Sequence, residues 1–443
     1  MTTEARILVV DRIIQLLDHL GIQRAHVVGA LPRDWQGLAT AFADRIASLS
    51  LVCPTALAPT AVRAIASRVL LLHGDQGPIA DRVRAAVGQI PEATVVALPN
   101  YPGLPFADIA VERRDQLSVA LLDFLRRMET GGAGGPVALT HEFGELAGIP
   151  YRIQGSGPPL VLLPLALAPS QWEPLLPQLS QHFATITLGG PHLGYLPILE
   201  GRGQALGFVR IVRNLLEEVA LRPGEAILDV GCGSGVLDRW LAEYINRAHA
   251  ITALDINRYL LREAEMLARK KGLEHIITFE EGSAEALPFH ENRFDVSLSL
   301  TVMEEGDADR MLAELIRVTK PGGRIAAIVR GDDCPALLTP RVRPEVEAKA
   351  VRAVGAGVAE RGCADASLYR RFHAAGLIGV RKFPQLAVYD ESDIVMAEFY
   401  QSRIVSVLSP SEVEEWQAAA IKAQDERGFV VAVPHHCAVG TKP

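Results

Sequence analysis

The sequence has few cysteines and no long apolar run, and each shortage excludes a class of protein. Its five cysteines form no C-x-x-C pair and are odd in number, so we expect reduced thiols, no disulfide framework and no metal site. No stretch approaches about 18 uninterrupted apolar residues, and a charged start precedes the first short apolar run. We therefore expect a cytoplasmic protein with neither a signal peptide nor a membrane span.

Positive charge is also scarce relative to negative charge. The net charge is −8, which disfavours a nucleic-acid partner because phosphate backbones select basic surfaces. Apolar residues make up 49% of the 443 residues, enough to build cores instead of extended disorder. At roughly 100 to 200 residues per domain, this length predicts two domains, and small molecules are the expected partners.

Glycine and proline mark the expected boundaries. The segment GGAGGP at residues 131–136 has too little side chain to build a core, which indicates a flexible joint. A weaker boundary is expected near Gly201–Gly203, before a helical pattern begins. The predicted organisation is a segment 1–130, a segment 131–200 of the same domain, and a domain 201–443 with a helical insertion at 390–427.

After residue 201, apolar strands alternate with amphipathic helices. This order is typical of an α/β protein with a doubly wound parallel sheet. The pattern at Arg258–Lys271 predicts a helix, because its apolar residues share one face, its lysines lie at the negative end of the helix dipole and Gly272 ends it.

A glycine-rich turn follows the predicted strand at residues 226–230. Gly231, Gly233 and Gly235 recur at every second position where a strand must turn into a helix, and only glycine tolerates such close packing of backbone against a ligand. A dinucleotide fingerprint would need a glycine at Val236, so NAD is disfavoured. A cofactor with an amino-acid tail needs a backbone floor and a carboxylate, which the loop amides and Asp229 would supply.

An acid also ends the next predicted strand. Asp255 lies about 20 residues beyond the glycine turn, where a carboxylate accepts hydrogen bonds from ribose hydroxyls. The pattern therefore predicts a nucleoside-containing cofactor.

Four motifs in this order carry a family resemblance: LDVGCGSG, ALDIN, EGSAEALPF and RFDVSLSL with VTKPGG. They resemble the class I S-adenosylmethionine-dependent methyltransferases, especially the ubiquinone and menaquinone C-methyltransferases. The resemblance implies a Rossmann-like seven-stranded sheet, S-adenosyl-L-methionine as cofactor and a small-molecule methyl acceptor. Ser283 departs from the family's usual aspartate at the adenine. The implied cofactor-binding residues are Asp229, Gly231, Cys232, Gly233, Gly235, Asp255, Ile256, Ser283, Ala284, Ser299, Leu300 and Thr301.

Two further features concern the acceptor. The helical segment Ser392–Arg427 separates the last two predicted strands, so we expect it to roof the acceptor pocket. Glu304, soon after the strand that carries Ser299, is the candidate catalytic base. The alternative is that Glu304 and Glu305 merely begin the next helix.

The first 200 residues resemble an α/β-hydrolase without its triad. Leu31 occupies the nucleophile position, Gly77 the acid position and Gly103 the histidine position, while His73 and Asp75 are the remaining candidates for a rearranged site. Residues 145–194 resemble the first strands of the same fold, which ordinarily come earlier in the chain. We therefore expect a permuted α/β-hydrolase-like domain whose two segments share one sheet.

Three functions remain open at this point. The leading hypothesis is methyl transfer to a small molecule, with the hydrolase-like region as a scaffold, a homodimerisation surface or a pocket wall. The rival is a non-catalytic regulatory protein that binds S-adenosylmethionine or S-adenosylhomocysteine. A bifunctional hydrolase and methyltransferase would require a nucleophile that the sequence lacks. Fold and cofactor do not specify the acceptor.

Overall fold

The computed structural model describes residues 9–54, 56–102, 108–130, 142–190, 192–246, 248–355 and 358–443. The chain forms two compact units, Met1–Pro197 and Ile198–Pro443. The division precedes the boundary expected at Gly201–Gly203. The joint expected at residues 131–136 lies outside the described residues.

One eight-stranded sheet organises the first unit. Its strands are β1 Ala25–Gly29, β2 Ile46–Val52, β3 Val69–Gly74, β4 Thr94–Leu98, β5 Phe143–Leu146, β6 Ile149–Gln154, β7 Pro159–Leu162 and β8 Ala184–Leu188. They lie in the order β4-β3-β2-β1-β7-β8-β6-β5. Since β1 pairs in parallel with β7, from His26↔Leu160 to Val28↔Leu162, the segments before and after residues 131–141 share this sheet.

Helices cover both faces of this sheet. The central strands β1, β2 and β3 are buried along their whole length, as expected for parallel strands covered on two sides. One apolar cluster includes Trp35 and the other includes Trp172. The helices are α1 Val9–His19, α2 Pro32–Ala41, α3 Pro59–Val62, α4 Gly77–Val87, α5 Ile109–Glu112, α6 Arg114–Thr130 and α7 Leu176–Leu179.

The second unit contains a nine-stranded sheet. Its strands are β9 Ile227–Val230, β10 Ile251–Asp255, β11 Ile277–Glu281, β12 Phe294–Leu300, β13 Thr319–Arg330, β14 Leu337–Leu338, β15 Ile378–Lys382, β16 Gln385–Asp390 and β17 Val430–Thr441. The order is β11-β10-β9-β12-β13-β17. Strand β17 pairs along one edge with β13 and β14, and along its other edge with β15 and β16. Strands β9 to β12 pair in parallel, as the alternating pattern predicts.

The expected count of seven strands is wrong by two. The sequence predicts one strand near Leu377–Tyr389, but this region forms two, because Pro384, which lacks an N–H, lies where they part; both pair with β17. The short β14 extends the line of β13 along the same edge of β17. The sheet therefore still has seven strand positions across its width.

Nine helices surround this sheet within the described ranges: α8 Leu196–Gln204, α9 Leu206–Val219, α10 Val236–Tyr244, α11 Arg258–Lys270, α12 Ala308–Val318, α13 Pro344–Val354, α14 Ser367–Ala374, α15 Ile394–Val405 and α16 Pro410–Asp425. The expected insertion thus forms α15 and α16. The Ser409 N–H donates to Glu412 Oε2 (2.8 Å), the reciprocal contact that starts α16. None of the helices in the described residues has the length and apolar character needed to cross a membrane.

Candidate functional site

The residues expected to bind the cofactor lie at one edge of the second sheet. Strands β11, β10, β9 and β12 are parallel neighbours, so their carboxyl ends meet at that edge. Ligands of open α/β sheets bind at such edges. The structure therefore brings together the glycine turn, Asp255, Ser283 and the end of β12.

The glycine turn leaves an open surface above the sheet. Gly231 has a φ of +82°, and a Cβ there would lie 2.2 Å from the Val302 side chain, so a larger residue would clash. At Gly233, with a φ of +56°, a Cβ would meet nothing closer than Leu199 at 3.4 Å. The missing side chain at Gly233 thus leaves space for a ligand.

Three amides of this turn, those of Gly231, Cys232 and Gly235, already donate within the protein, so the expectation that the loop amides would bind the cofactor does not hold for these three. The N–H groups of Gly231 and Cys232 donate to the Leu254 carbonyl (2.6 and 3.0 Å), and the Gly235 N–H donates to the Cys232 carbonyl (2.9 Å). A phosphate would need such amides free. The turn therefore supplies a close floor, and polar recognition falls to side chains.

Asp255 ends β10 and fixes the turn. Its Oδ2 accepts from the Gly233 N–H (2.8 Å), and its Oδ1 accepts from the Asn257 N–H (2.8 Å). Burial raises the pKa of Asp255, while the amides of Asn257 and Gly233 oppose that rise. Each carboxylate oxygen retains a lone pair, which suits a pair of ribose hydroxyls.

A second carboxylate lies beside Asp229, and sequence reasoning missed it. Asp229 and Asp238 are 3% and 1% exposed. Burial and the charge of Asp238 raise the pKa of Asp229 well above its usual range, and burial raises the pKa of Asp238 to about 7. Among the described residues, no other group donates to Asp229 Oδ1 or to either oxygen of Asp238, and the two carboxyl groups hydrogen-bond to each other. This pair requires a proton or a cation.

A buried ion pair attaches α8 to the glycine turn and was also missed. Arg239 donates two hydrogen bonds to the Glu200 carboxylate (2.7 and 2.6 Å). The Ser234 hydroxyl donates to Glu200 Oε1 (2.7 Å), and Arg239 donates to the Ser234 carbonyl (2.7 Å). This network fixes the start of α10, and no spacing in the sequence links Glu200 to Arg239.

The other expected cofactor residues occupy different environments. Ile256 is 71% exposed at the end of β10, so its apolar side chain is available to a ring. Cys232 and Ser299 are buried, and burial raises the pKa of the Cys232 thiol, as suits a space-filling residue. The remaining contacts are local: Ser283 bridges to Ala286, Ala284 is half-buried beside it, and the Thr301 hydroxyl donates to the Leu300 carbonyl (2.6 Å).

Glu304 is wholly buried between the ends of β12 and β13. Its Oε1 accepts from the Arg330 N–H (2.8 Å), its Oε2 has no hydrogen-bond partner among the described residues, and burial raises its pKa. The alternative that Glu304 begins a helix is wrong. Helix α12 begins at Ala308, and the Asp307 side chain caps it.

An aromatic and cationic cluster lies on α8, α9, α15 and the neighbouring strands. The Arg202 guanidinium carbon is 5.1 Å from the Phe208 ring centroid, and the Phe208 and His435 centroids are 5.7 Å apart. The Tyr389 and Tyr400 centroids are 5.4 Å apart. Burial lowers the pKa of His435 to about 3, so its imidazole is neutral. Arg202 has no hydrogen-bond or ion-pair partner in the described part of the chain.

The first unit has no triad at the expected positions. Leu31 is buried at the start of α2, Gly77 begins α4, and Gly103 lies outside the described residues. His73 Nδ1 is 2.5 Å from the Gly74 carbonyl, and Asp75 Oδ1 accepts from the Tyr101 N–H (3.1 Å). These backbone partners do not connect His73 to Asp75.

A different serine, histidine and carboxylate chain occurs in this unit. His26 Nδ1 lies 2.7 Å from Ser48 Oγ, and His26 Nε2 lies 2.7 Å from Glu129 Oε1. Both His26 and Ser48 are wholly buried near the amino ends of β1 and β2. Burial also lowers the pKa of His26, the reverse of what a strong general base needs. This chain satisfies buried polar groups.

The sheet order, glycine turn and carboxylates are the features expected of a class I S-adenosylmethionine-dependent methyltransferase domain. The site fits this cofactor, because the buried carboxyl pair of Asp229 and Asp238 matches a cationic tail. Asp255 and the exposed Ile256 match a nucleoside, and Gly233 leaves room above the sheet. S-adenosylmethionine is therefore the expected cofactor.

Comparisons with known proteins support this class. A family model described as a methyltransferase domain matches residues 227–323. A ubiquinone/menaquinone biosynthesis C-methyltransferase UbiE of Shewanella halifaxensis is 32% identical over 117 residues, covering 26% of this chain and 47% of that protein. A glycine/sarcosine/dimethylglycine N-methyltransferase of Actinopolyspora halophila is 35% identical over 117 residues, covering 26% of this chain and 20% of its own length. The prediction of such a domain is confirmed.

The matches are partial. A UbiE of Brucella canis, 33% identical over 166 residues, is covered over 58% of its length and matches 37% of this chain. The chain thus spans about half the length of the UbiE relatives it matches. Among solved structures, the [4+2]-cyclase SpnF shares 22% identity at a TM-score of 0.32, covering 53% of this chain and 81% of SpnF. The YcgJ protein of Bacillus subtilis shares 17% identity at a TM-score of 0.38, covering 53% of this chain and 98% of YcgJ.

Proposed function

We propose that this protein transfers the methyl group of S-adenosylmethionine to a small-molecule acceptor bound beneath α15 and α16. The observation that carries the proposal is the buried pair of carboxyl groups, Asp229 and Asp238, which receive no hydrogen bond from any other described residue. A resident cation stabilises such a pair, and the methionyl ammonium of the cofactor is a cation of suitable size.

The residues of the chain then act chiefly by positioning. Asp229 and Asp238 hold the ammonium group, and Asp255 holds the ribose hydroxyls. When bound, the cofactor supplies a methyl group already activated as a sulfonium. Alignment of an acceptor atom with that methyl group contributes several kcal/mol through proximity alone, so strong acid-base chemistry is not required of every acceptor.

Glu304 is the proposed base where the acceptor must lose a proton. Its Oε2 has no hydrogen-bond donor among the described residues, and its raised pKa brings the carboxylate closer to the acceptor's own pKa. The proton would go to Oε2, while Oε1 stays bonded to the Arg330 N–H.

The aromatic and cationic cluster is the proposed acceptor pocket. Tyr389 has a fully buried hydroxyl beside that of Tyr400, and Arg202 offers a positive charge without an anion among the described residues. Such convergent polar groups within apolar surroundings are typical of small-molecule sites. The first unit is proposed to be a non-catalytic scaffold or dimerisation surface.

Turnover tests this proposal against a non-catalytic binding protein. The full chain is incubated with methyl-labelled S-adenosylmethionine and a small-molecule extract, and the products are separated. Label in a new small molecule supports methyl transfer. Tight cofactor binding without labelled product across extracts would favour the regulatory alternative.

A further inference from the structure

A second cluster of chemically versatile side chains lies on β17 and the loop after β13. Asp333, Cys334 and His436 each offer one ligand atom, and these three atoms lie within 4.8 Å of one another. His436 follows His435 on β17, and successive side chains of a strand point to opposite faces. His436 therefore faces away from the aromatic and cationic cluster, and the proposed methyl transfer uses none of these three residues.

The donor set determines which ion suits the cluster. A thiolate, an imidazole nitrogen and a carboxylate oxygen together favour zinc over calcium or magnesium, which prefer oxygen ligands. We propose that Asp333, Cys334 and His436 bind one zinc ion, with its fourth position taken by water or another oxygen ligand. Three protein ligands with one open position are a common zinc arrangement.

Outer hydrogen bonds already orient two of the three ligands. The Tyr369 hydroxyl lies 2.9 Å from His436 Nδ1, and the Ala366 N–H donates to Asp333 Oδ2 (3.1 Å). Zinc-binding histidines and carboxylates are held in this way by partners at their other polar atom. The support comes from α14 and the residue before it, so it is independent of the loop that carries Asp333 and Cys334.

The proton balance of binding is simple. Without an ion, His436 Nε2–H donates to Asp333 Oδ1 (2.8 Å). With zinc on Nε2, the single ring proton moves to Nδ1 and is donated to the Tyr369 oxygen. The Cys334 thiol releases its proton to solvent as the sulfur–zinc bond forms, so one proton leaves per ion. Asp333 and Cys334 are exposed while His436 is buried, which gives the ion a path from solvent.

Cobalt substitution tests the site without any methyl acceptor. The full chain, freed of metal with a chelator, is titrated with Co²⁺ and followed by absorbance. We expect one equivalent to produce a thiolate-to-cobalt charge-transfer band that Zn²⁺ removes. Cys334→Ser abolishes the band, and Tyr369→Phe weakens cobalt binding by about 10- to 100-fold. His373→Gln, which alters an exposed histidine of α14, is the matched control and leaves the titration unchanged.

Three outcomes would overturn the site: no band in the folded wild type, a band that persists in Cys334→Ser, or loss of the band in His373→Gln. Circular dichroism shows that each variant is folded. Because Cys334 is exposed, its replacement avoids the packing defect that a change at buried His436 would bring. The titration contains no S-adenosylmethionine, so its result is independent of the proposed methyl transfer.

Discussion

The carboxyl groups of Asp229 and Asp238 lie together in the interior of the second unit, where burial raises the pKa of both and the charge of Asp238 raises the pKa of Asp229 further. Asp229 lies in β9, the first strand of the Rossmann-like sheet, and Asp238 lies on the following helix. Because the two carboxyl groups are close together and buried, the site beside the glycine turn favours a bound proton or a bound cation.

Asp238→Asn should stabilise the free protein at neutral pH. The raised pKa means that the folded state retains a proton that the unfolded state loses above about pH 4. Wild-type stability therefore falls as the pH rises from about 4 to 7, the folded pKa of Asp238. The variant should lack the part of this fall that comes from Asp238 and gain more than about 1.4 kcal/mol at pH 7.5, the equivalent of one pKa unit.

Urea unfolding of both proteins across this pH range measures the effect. Asp425→Asn, a change at the end of α16, is the control and should follow the wild type. Parallel stability curves for Asp238→Asn and the wild type would contradict the buried pair.

Asp255→Ala should weaken S-adenosylhomocysteine binding by about 10- to 100-fold. The carboxylate accepts charge-assisted hydrogen bonds worth roughly 1.5 to 3 kcal/mol each, and it also holds the Gly233 amide. Asp255→Asn keeps the shape and one acceptor, so it should fall between the wild type and the alanine variant. Isothermal titration calorimetry measures these affinities. Equal affinities for the wild type and Asp255→Ala would show that Asp255 does not bind the ribose.

Glu304→Gln should lower kcat by about 10²- to 10⁴-fold for an acceptor that loses a proton. S-adenosylhomocysteine affinity should not change, because Glu304 contacts Arg330 and not the glycine turn. The exposed neighbour Glu305 gives the matched control, Glu305→Gln. A pH profile of kcat that is the same in wild type and Glu304→Gln would show that Glu304 is structural.

Replacing the segment between Asp390 and Val430 with Asn-Gly should abolish methyl transfer while sparing cofactor binding. These two residues pair across β16 and β17, so a two-residue turn can join the strands without changing their register. The loss is expected because α15 carries Tyr400 of the proposed acceptor pocket. Full methyl transfer by a folded deletion variant would show that α15 and α16 are not needed to cover the acceptor pocket.

The first unit should not hydrolyse esters above background. Leu31 can neither attack nor be deprotonated, and Ser48 is wholly buried. A panel of small ester substrates measures this in the full chain. Hydrolysis that disappears in Ser48→Ala or His73→Ala would reveal a site that the first unit was not expected to have.

Helices and strands could be predicted from the sequence where a single local pattern of residues determines them. The predicted helix Arg258–Lys271 ends one residue earlier in the structure, and Asp255 ends its strand beside the glycine turn. Such features depend on nearby residues alone. The break at Pro384 was missed because the flanking apolar pattern continues across it.

The missed site residues depend on contacts between distant positions. Glu200 and Arg239 are 39 residues apart, and Asp333 and His436 are 103 apart. Asp238 reads in the sequence as an ordinary polar helix residue, and only the fold turns it toward Asp229 in the interior. Periodicity predicts which face of an element is apolar, but it does not predict which buried polar groups meet.

Methyl transfer itself is the most direct test of the central claim. The full chain, methyl-labelled S-adenosylmethionine and a fractionated small-molecule extract are combined, and S-adenosylhomocysteine and labelled product are quantified by mass spectrometry. We predict equal amounts of the two, with both reduced in Asp255→Ala at a subsaturating cofactor concentration. A wild-type protein that binds S-adenosylmethionine but forms neither compound with any fraction would contradict the account.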